Sequence, residues 1–125
     1  MASNPVVLLY NFTGTPKGRK IKFVLIRMGI RIKNIEVKDY LQPIGALAGI
    51  PGTEADKPDY NGEGFTDEML VMNNFTEKLL DEMLLRFGRE SIPRIELKAV
   101  ITPSNRTWNS LELYSEIKKE HDQMT

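Results

Sequence analysis

At 125 residues the chain has room for one compact domain that buries roughly two-thirds of its unfolded surface, and a second independent domain would not fit. Its 17 basic and 17 acidic side chains cancel, which excludes the composition of a basic nucleic-acid tail or a disordered acidic segment and points to a soluble globule. The absence of cysteine excludes disulfides, thiolate metal centres, iron–sulfur clusters and thiol nucleophiles.

The N-terminus lacks the basic region and longer apolar core of a signal peptide, and no apolar run approaches the ~20 residues of a membrane span. A cytoplasmic protein with no membrane association is expected. Val6 to Phe12 is a short apolar run bounded by Thr13-Gly14-Thr15-Pro16, as for a buried strand that ends in a turn. Thr15 suits an N-cap with Pro16 in the first helical position. Ile21, Val24, Leu25 and Met28 then form a helical stripe, and Gly29 stands where a left-handed C-terminal residue belongs. Phe23 and Ile26 make this helix apolar on more than one face, which predicts deep burial or a covering partner. Ile30 to Leu41 supplies the second strand, and Ile44 to Gly49 is a short apolar piece after Pro43.

Ile50 to Glu68 carries prolines, glycines and six carboxylates and reads as a long irregular connection, either a packed surface loop or a mobile flap. The plan then restarts. Met69 to Phe75 reads as a strand, Thr76 as an N-cap, and Leu79, Leu80, Met83, Leu84 and Phe87 as a helix stripe that stops near Gly88. Arg94 to Ile101 reads as a strand ended by Thr102-Pro103. Asn109 with Glu112 offers a capping box for a last helix lined by Leu111, Leu113, Tyr114 and Ile117.

The two halves also echo each other in sequence. Ile35-Glu36-Val37-Lys38 returns as Ile95-Glu96-Leu97-Lys98, and Asn11-Phe12-Thr13 as Asn74-Phe75-Thr76. One domain over residues 1–125 is therefore expected, built of pseudo-repeats at about 6–49 and 69–118 joined by the acidic loop 50–68. The predicted fold is α+β, an α/β sandwich: a duplicated βαβ, ferredoxin-like four-stranded sheet plus a C-terminal helix. The alternative is a mostly parallel sheet with helices on both faces, which the near-continuous apolar strands also allow.

Charge is neutral in sum but uneven in place. Residues 1–50 hold eight basic side chains against Glu36 and Asp39, and residues 51–90 hold ten acidic against four basic. This dipole suits self-association or a protein partner, or more simply an acidic loop folded over the basic helix of the same molecule. Nucleic-acid contact has only Phe23 as aromatic support among the basic residues of the first helix, and is not expected.

Candidate site residues are few. The turn Gly14 to Lys20 joins a strand end to a helix start, where backbone N–H groups with Lys17 and Arg19 can hold an anion or nucleotide. Its spacing is neither a P-loop nor a dinucleotide fingerprint, and capping and solubility already account for its residues. Asn11, Asn74 and Asn105, with Trp108 and Tyr10 as walls, would line a pocket near the axis between the halves, although each asparagine also suits a turn. No catalytic residue, cofactor or metal site is nominated: the acidic linker lacks a calcium-loop pattern, and the sole histidine, His121, lies in a charged terminal stretch without an orienting partner. The reading is a small non-enzymatic binding or regulatory module, with an anion- or nucleotide-binding domain or enzyme built on the Gly14–Lys20 turn as the alternative.

The segments Met69-Leu70-Val71-Met72 and Leu97-Lys98-Ala99-Val100-Ile101-Thr102-Pro103-Ser104-Asn105, with Trp108, resemble an uncharacterised prokaryotic family, domain of unknown function 3783. Val7-Leu8-Leu9-Tyr10-Asn11-Phe12 and Asp39-Tyr40-Leu41-Gln42-Pro43-Ile44-Gly45 extend the likeness, which is clearest over residues 69–118. The resemblance implies a bacterial cytoplasmic protein and carries no catalytic residue, substrate or cofactor.

Overall fold

The computed structural model describes residues 4–124. Strand β1 (Val6–Tyr10), helix α1 (Pro16–Arg27) and strand β2 (Arg31–Asn34) form one βαβ unit. After the short helix α2 (Ile44–Leu47) and the linker, β3 (Met69–Asn73), α3 (Glu77–Arg89) and β4 (Leu97–Val100) form another, followed by α4 (Ser110–Met124). The sheet has the order β2-β1-β3-β4. Each unit closes its own parallel pair, and the units meet through antiparallel β1 and β3.

The α+β sandwich with four strands and a C-terminal helix is thus as expected, but the strand order is not ferredoxin-like. In that arrangement the two βαβ units interleave; here β1 pairs directly with β2 and β3 directly with β4. Two of the three pairings are parallel and helices cover both faces, as in the alternative reading. The composition of the central strands explains this. All five residues of β1 are buried, so alternate side chains must find cover on opposite sides. Val7, Leu9, Leu70 and Met72 pack under α1 and α3, whereas Val6, Leu8, Tyr10, Met69 and Val71 pack under α2, α4 and Phe65 of the linker. The edge strand β2, with Arg31, Lys33 and Asn34 exposed, is short and charged, which discourages further pairing.

The caps form as the residue types require. Thr15 accepts from Gly18 N at 2.9 Å and Thr76 from Leu79 N at 3.0 Å. Asn109 and Glu112 close a reciprocal box, each backbone N–H donating to the other's side chain at 2.9–3.0 Å. Gly29 adopts φ +74° after α1.

The strands are shorter than the sequence expectation, β1 ending at Tyr10 instead of Phe12 and β3 at Asn73 instead of Phe75. The second strand stops at Asn34 instead of running to Leu41. Asn34 is paired with Leu9, one residue before β1 ends, so beyond Ile35 N donating to Leu9 O the ladder has no partner. The chain instead makes a 3₁₀ turn over Val37–Asp39 and drops Tyr40 into the core. The same limit trims the fourth strand to Leu97–Val100, because Met69, the first residue of β3, pairs with Leu97. Helix α3 ends at Arg89, near Gly88 as expected, and Ser91, at φ +56°, makes the left-handed reversal, with Ile92 N donating back to Phe87 O.

Candidate functional site

Because β1 and β3 are antiparallel, with Val6 opposite Asn73 and Tyr10 opposite Met69, the sheet has two unlike ends. Asn11 and Asn74 follow their strands in the same left-handed conformation, φ +67° and +63°, and each leads to a threonine-capped helix. Six register positions separate them, about 20 Å of strand. A pocket shared by Asn11, Asn74 and Asn105 is therefore not formed: Asn105 follows β4 and lies with Asn74, away from Asn11.

At the Asn11 end the chain occupies its own turn. Asn11 Nδ2 donates to Phe65 O at 2.9 Å and to Asp67 O at 2.8 Å, clamping the end of the linker. Lys17 Nζ reaches Glu68 Oε1 at 2.8 Å and Arg94 O at 3.1 Å. Thr15 satisfies Gly18 N, and Arg19 is exposed. Gly18 is packed so closely that a Cβ would fall 2.2 Å from Phe12 O, which leaves no depth for a ligand. The donors that would have made the Gly14–Lys20 turn an anion site are largely spent within the molecule.

The clamp continues into an aromatic stack. Phe65 lies parallel to Tyr114 at 4.0 Å between centroids, and Tyr40 stacks on Phe65 at 4.9 Å. The Tyr114 hydroxyl donates to Asp67 at 2.6 Å, an interaction that lowers the Asp67 pKa and raises the Tyr114 pKa to about 12. Tyr10 bonds Ser110 at 2.7 Å, and burial raises the Tyr10 pKa. The Tyr40 hydroxyl is fully buried, and desolvation raises its pKa as well. Beside this stack Lys118 pairs with Asp67 at 3.4 Å, and His121 Nε2 approaches Glu96 at 3.8 Å. His121 thus has an acidic neighbour that its terminal position did not suggest, although it stands within a cluster of opposed charges that neutralise one another.

The Asn74 end is open. A cleft of about 690 Å³ spans the starts of β1 and β2 and the ends of β3 and β4. Its floor is a row of register partners, Arg31, Val6 and Asn73, on the face that carries α2 and α4. One wall is the turn Gly49-Ile50-Pro51 after α2; the other contains Pro103 and Arg106. The Arg106 wall is built by Asn105, which accepts from Thr102 N at 2.8 Å and donates to Val100 O at 3.1 Å. Arg106 O in turn accepts from Gly45 N at 2.9 Å. Trp108 does not reach the cleft: it packs on the core, and its carbonyl accepts from Ile44 N at 2.8 Å. Of the six sequence candidates only Asn74 lines the cleft; Arg31 and Arg106, which were not among them, do so as well.

A further surface feature lies between α1 and α3. Phe23 is 52% exposed, Ile26 68% and Leu85 56%. Phe23 lines a groove of about 380 Å³ together with Val24, Arg27, Arg86, Arg89 and Glu90. Arg27 lies over the Phe23 ring at 5.4 Å.

Fold and surface together define a small open-sheet α+β protein with a cleft at one sheet end and an arginine-lined groove on one helix face. Residues 68–124 match the family described as Domain of unknown function (DUF3783), the span of β3, α3, β4 and α4. That span contains Asn74, Asn105, Arg106 and Trp108 but neither Asn11 nor Arg31. No curated protein and no solved structure is significantly similar to the chain. Among the described residues no helix is long and apolar enough to cross a membrane, and no group of three metal-ligating side chains could hold a metal ion.

Proposed function

We propose that the chain is a non-enzymatic interaction module of the cytoplasm whose copies associate head to tail. The observation that carries this reading is the placement of its charge. The linker bearing Glu54, Asp56, Asp59 and Glu63 crosses the α4 face, where Tyr60 and Phe65 anchor it, whereas the arginine-lined groove lies on the α1/α3 face. The sheet lies between these four carboxylates and the groove, and the linker meets α1 at its far end, where Glu68 takes Lys17. None of these four carboxylates forms a salt bridge among the described residues, and each belongs to an exposed residue. Complementary surfaces on opposite sides favour a heterologous contact, in which one copy's linker meets the next copy's groove. A two-fold contact of groove on groove would instead set arginines against arginines. Exposed Phe23, which lines the groove, supplies apolar area for such a contact to bury.

Sedimentation velocity over a range of concentration and salt tests the reading. Oligomers should dissociate as salt rises. A groove variant (Arg27→Gln, Arg86→Gln, Arg89→Gln) and a linker variant (Glu54→Gln, Asp56→Asn, Asp59→Asn, Glu63→Gln) should each be monomeric, and an equimolar mixture should form dimers only. A wild-type chain that stays monomeric at high concentration, or a mixture that does not recombine, would count against it.

A further inference from the structure

The geometry points to a second, independent function for the open end of the sheet: a binding site for a small organic oxyanion, a phosphate ester or carboxylate carrying a compact apolar body. The cleft volume, about 690 Å³, falls within the ~300–1,000 Å³ of small-molecule sites. Its charge is of one sign. Arg31 and Arg106 line it, no carboxylate does, and neither guanidinium is paired with an acidic group among the described residues. This sets it apart from the charged cleft at the other end, where Lys17, Lys118 and His121 all face carboxylates.

The register explains why the charge is there. Along the face that carries α2 and α4, the row Lys33, Leu8, Val71 is followed at the sheet end by Arg31, Val6, Asn73. Lys33 is occupied, donating to Leu47 O at 2.9 Å and so closing the end of α2. Arg31, one pleat further out, has no such acceptor, and the Asn73 amide has no hydrogen-bond partner among the described residues. The opposite wall is held in place before any ligand arrives. Arg106 N donates to Thr102 O at 3.1 Å, Arg106 O accepts from Gly45 N, and a Cβ on Gly45 would stand 2.9 Å from that oxygen. A guanidinium on a β-strand and another on a loop whose backbone is braced line one cleft and offer it two forks for an oxyanion. Val6, Ile101, Pro51 and Pro103 give its organic body an apolar seat, and the amide of Asn73 offers directional hydrogen bonds.

Calorimetric titration with phenyl phosphate, benzoate and benzyl alcohol tests the proposal and separates the two oxyanion sources. At least one of the two anions should bind, and benzyl alcohol should not. Arg31→Gln and Arg106→Gln should each weaken binding about tenfold, and the double variant should abolish it. Lys119→Gln, at an exposed lysine outside the cleft, should leave it unchanged. Dispersed amide spectra from each variant establish that its fold is retained, and Arg106→Lys, which keeps the charge but loses the fork, should give intermediate affinity. Absence of binding by both anions up to ~10 mM, well beyond the ~1 mM of a weak site, would overturn the proposal. So would equal binding of benzyl alcohol, or binding that survives in the double variant.

Discussion

The two strand-to-helix turns at Asn11 and Asn74 begin alike and end differently. Both asparagines adopt the left-handed conformation, and both precede a threonine that caps a helix. At the first, the linker folds back and its carbonyls take the Asn11 amide, while Glu68 takes Lys17. Beside the second lies a cleft lined by Arg31 and Arg106, neither of which is paired with an acidic group among the described residues. What decides whether such a turn is a site is less its own residues than what the rest of the chain does with the groups it offers.

This comparison can be broken most forcefully at the clamp. Phe65→Ala removes a buried ring that stacks on Tyr40 and Tyr114, and should cost about 3–5 kcal/mol in urea unfolding. Asn11→Gly keeps the permissive backbone but loses two hydrogen bonds, and should cost about 1–3 kcal/mol while raising amide exchange over residues 65–68. By contrast Arg31→Gln and Arg106→Gln should change stability by less than about 0.5 kcal/mol, because both residues are exposed and neither side chain has an acidic partner among the described residues. A larger loss at the open end than at the clamp would reverse the assignment of the two ends.

The smallest effect is one of pH. Asp67 has a lowered pKa, chiefly through the Tyr114 hydroxyl and also through Lys118. A carboxylate depressed on folding contributes stability above its unfolded pKa and loses that contribution as pH falls through the folded value. The clamp should therefore weaken below about pH 4, near the ordinary aspartate pKa. Tyr114→Phe should move the Asp67 titration, followed by carboxyl carbon NMR, back towards the ordinary range; an unmoved titration would show that the hydroxyl does not hold the linker.

Much of the fold could be read in the sequence where local chemistry decides it. Thr15, Thr76 and the Asn109–Glu112 box announce three helix starts, because a cap needs only its own neighbours. The unbroken apolar runs at Val6 and Met69 announce strands covered on both faces. Strand order was not legible, since interleaved and adjacent βαβ units satisfy the same pattern and crossover handedness does not choose between them. Nor were the strand ends: Ile35 to Leu41 lacks only a pairing partner, and that partner's length is set elsewhere in the chain.

The site was the least visible part. Asn11 and Asn74 match in sequence, yet the antiparallel meeting of β1 and β3 places them at opposite ends. Arg31, Asn73 and Arg106 converge through register and through a loop braced by Asn105 and Gly45, neither of which leaves a signature in spacing. The exposed Phe23 and Ile26 were legible as an excess of apolar residues around α1, and the structure shows that excess facing outward.

The contrast between the two ends is tested most directly by titrating phenyl phosphate into ¹⁵N-labelled protein and mapping the amide shifts. The account requires the shifts to fall on Gly49, Asn73, Asn74 and Arg106 and to spare Gly14 to Lys20. Shifts concentrated on Gly14 to Lys20 would mean that the linker yields to a ligand, and would contradict it.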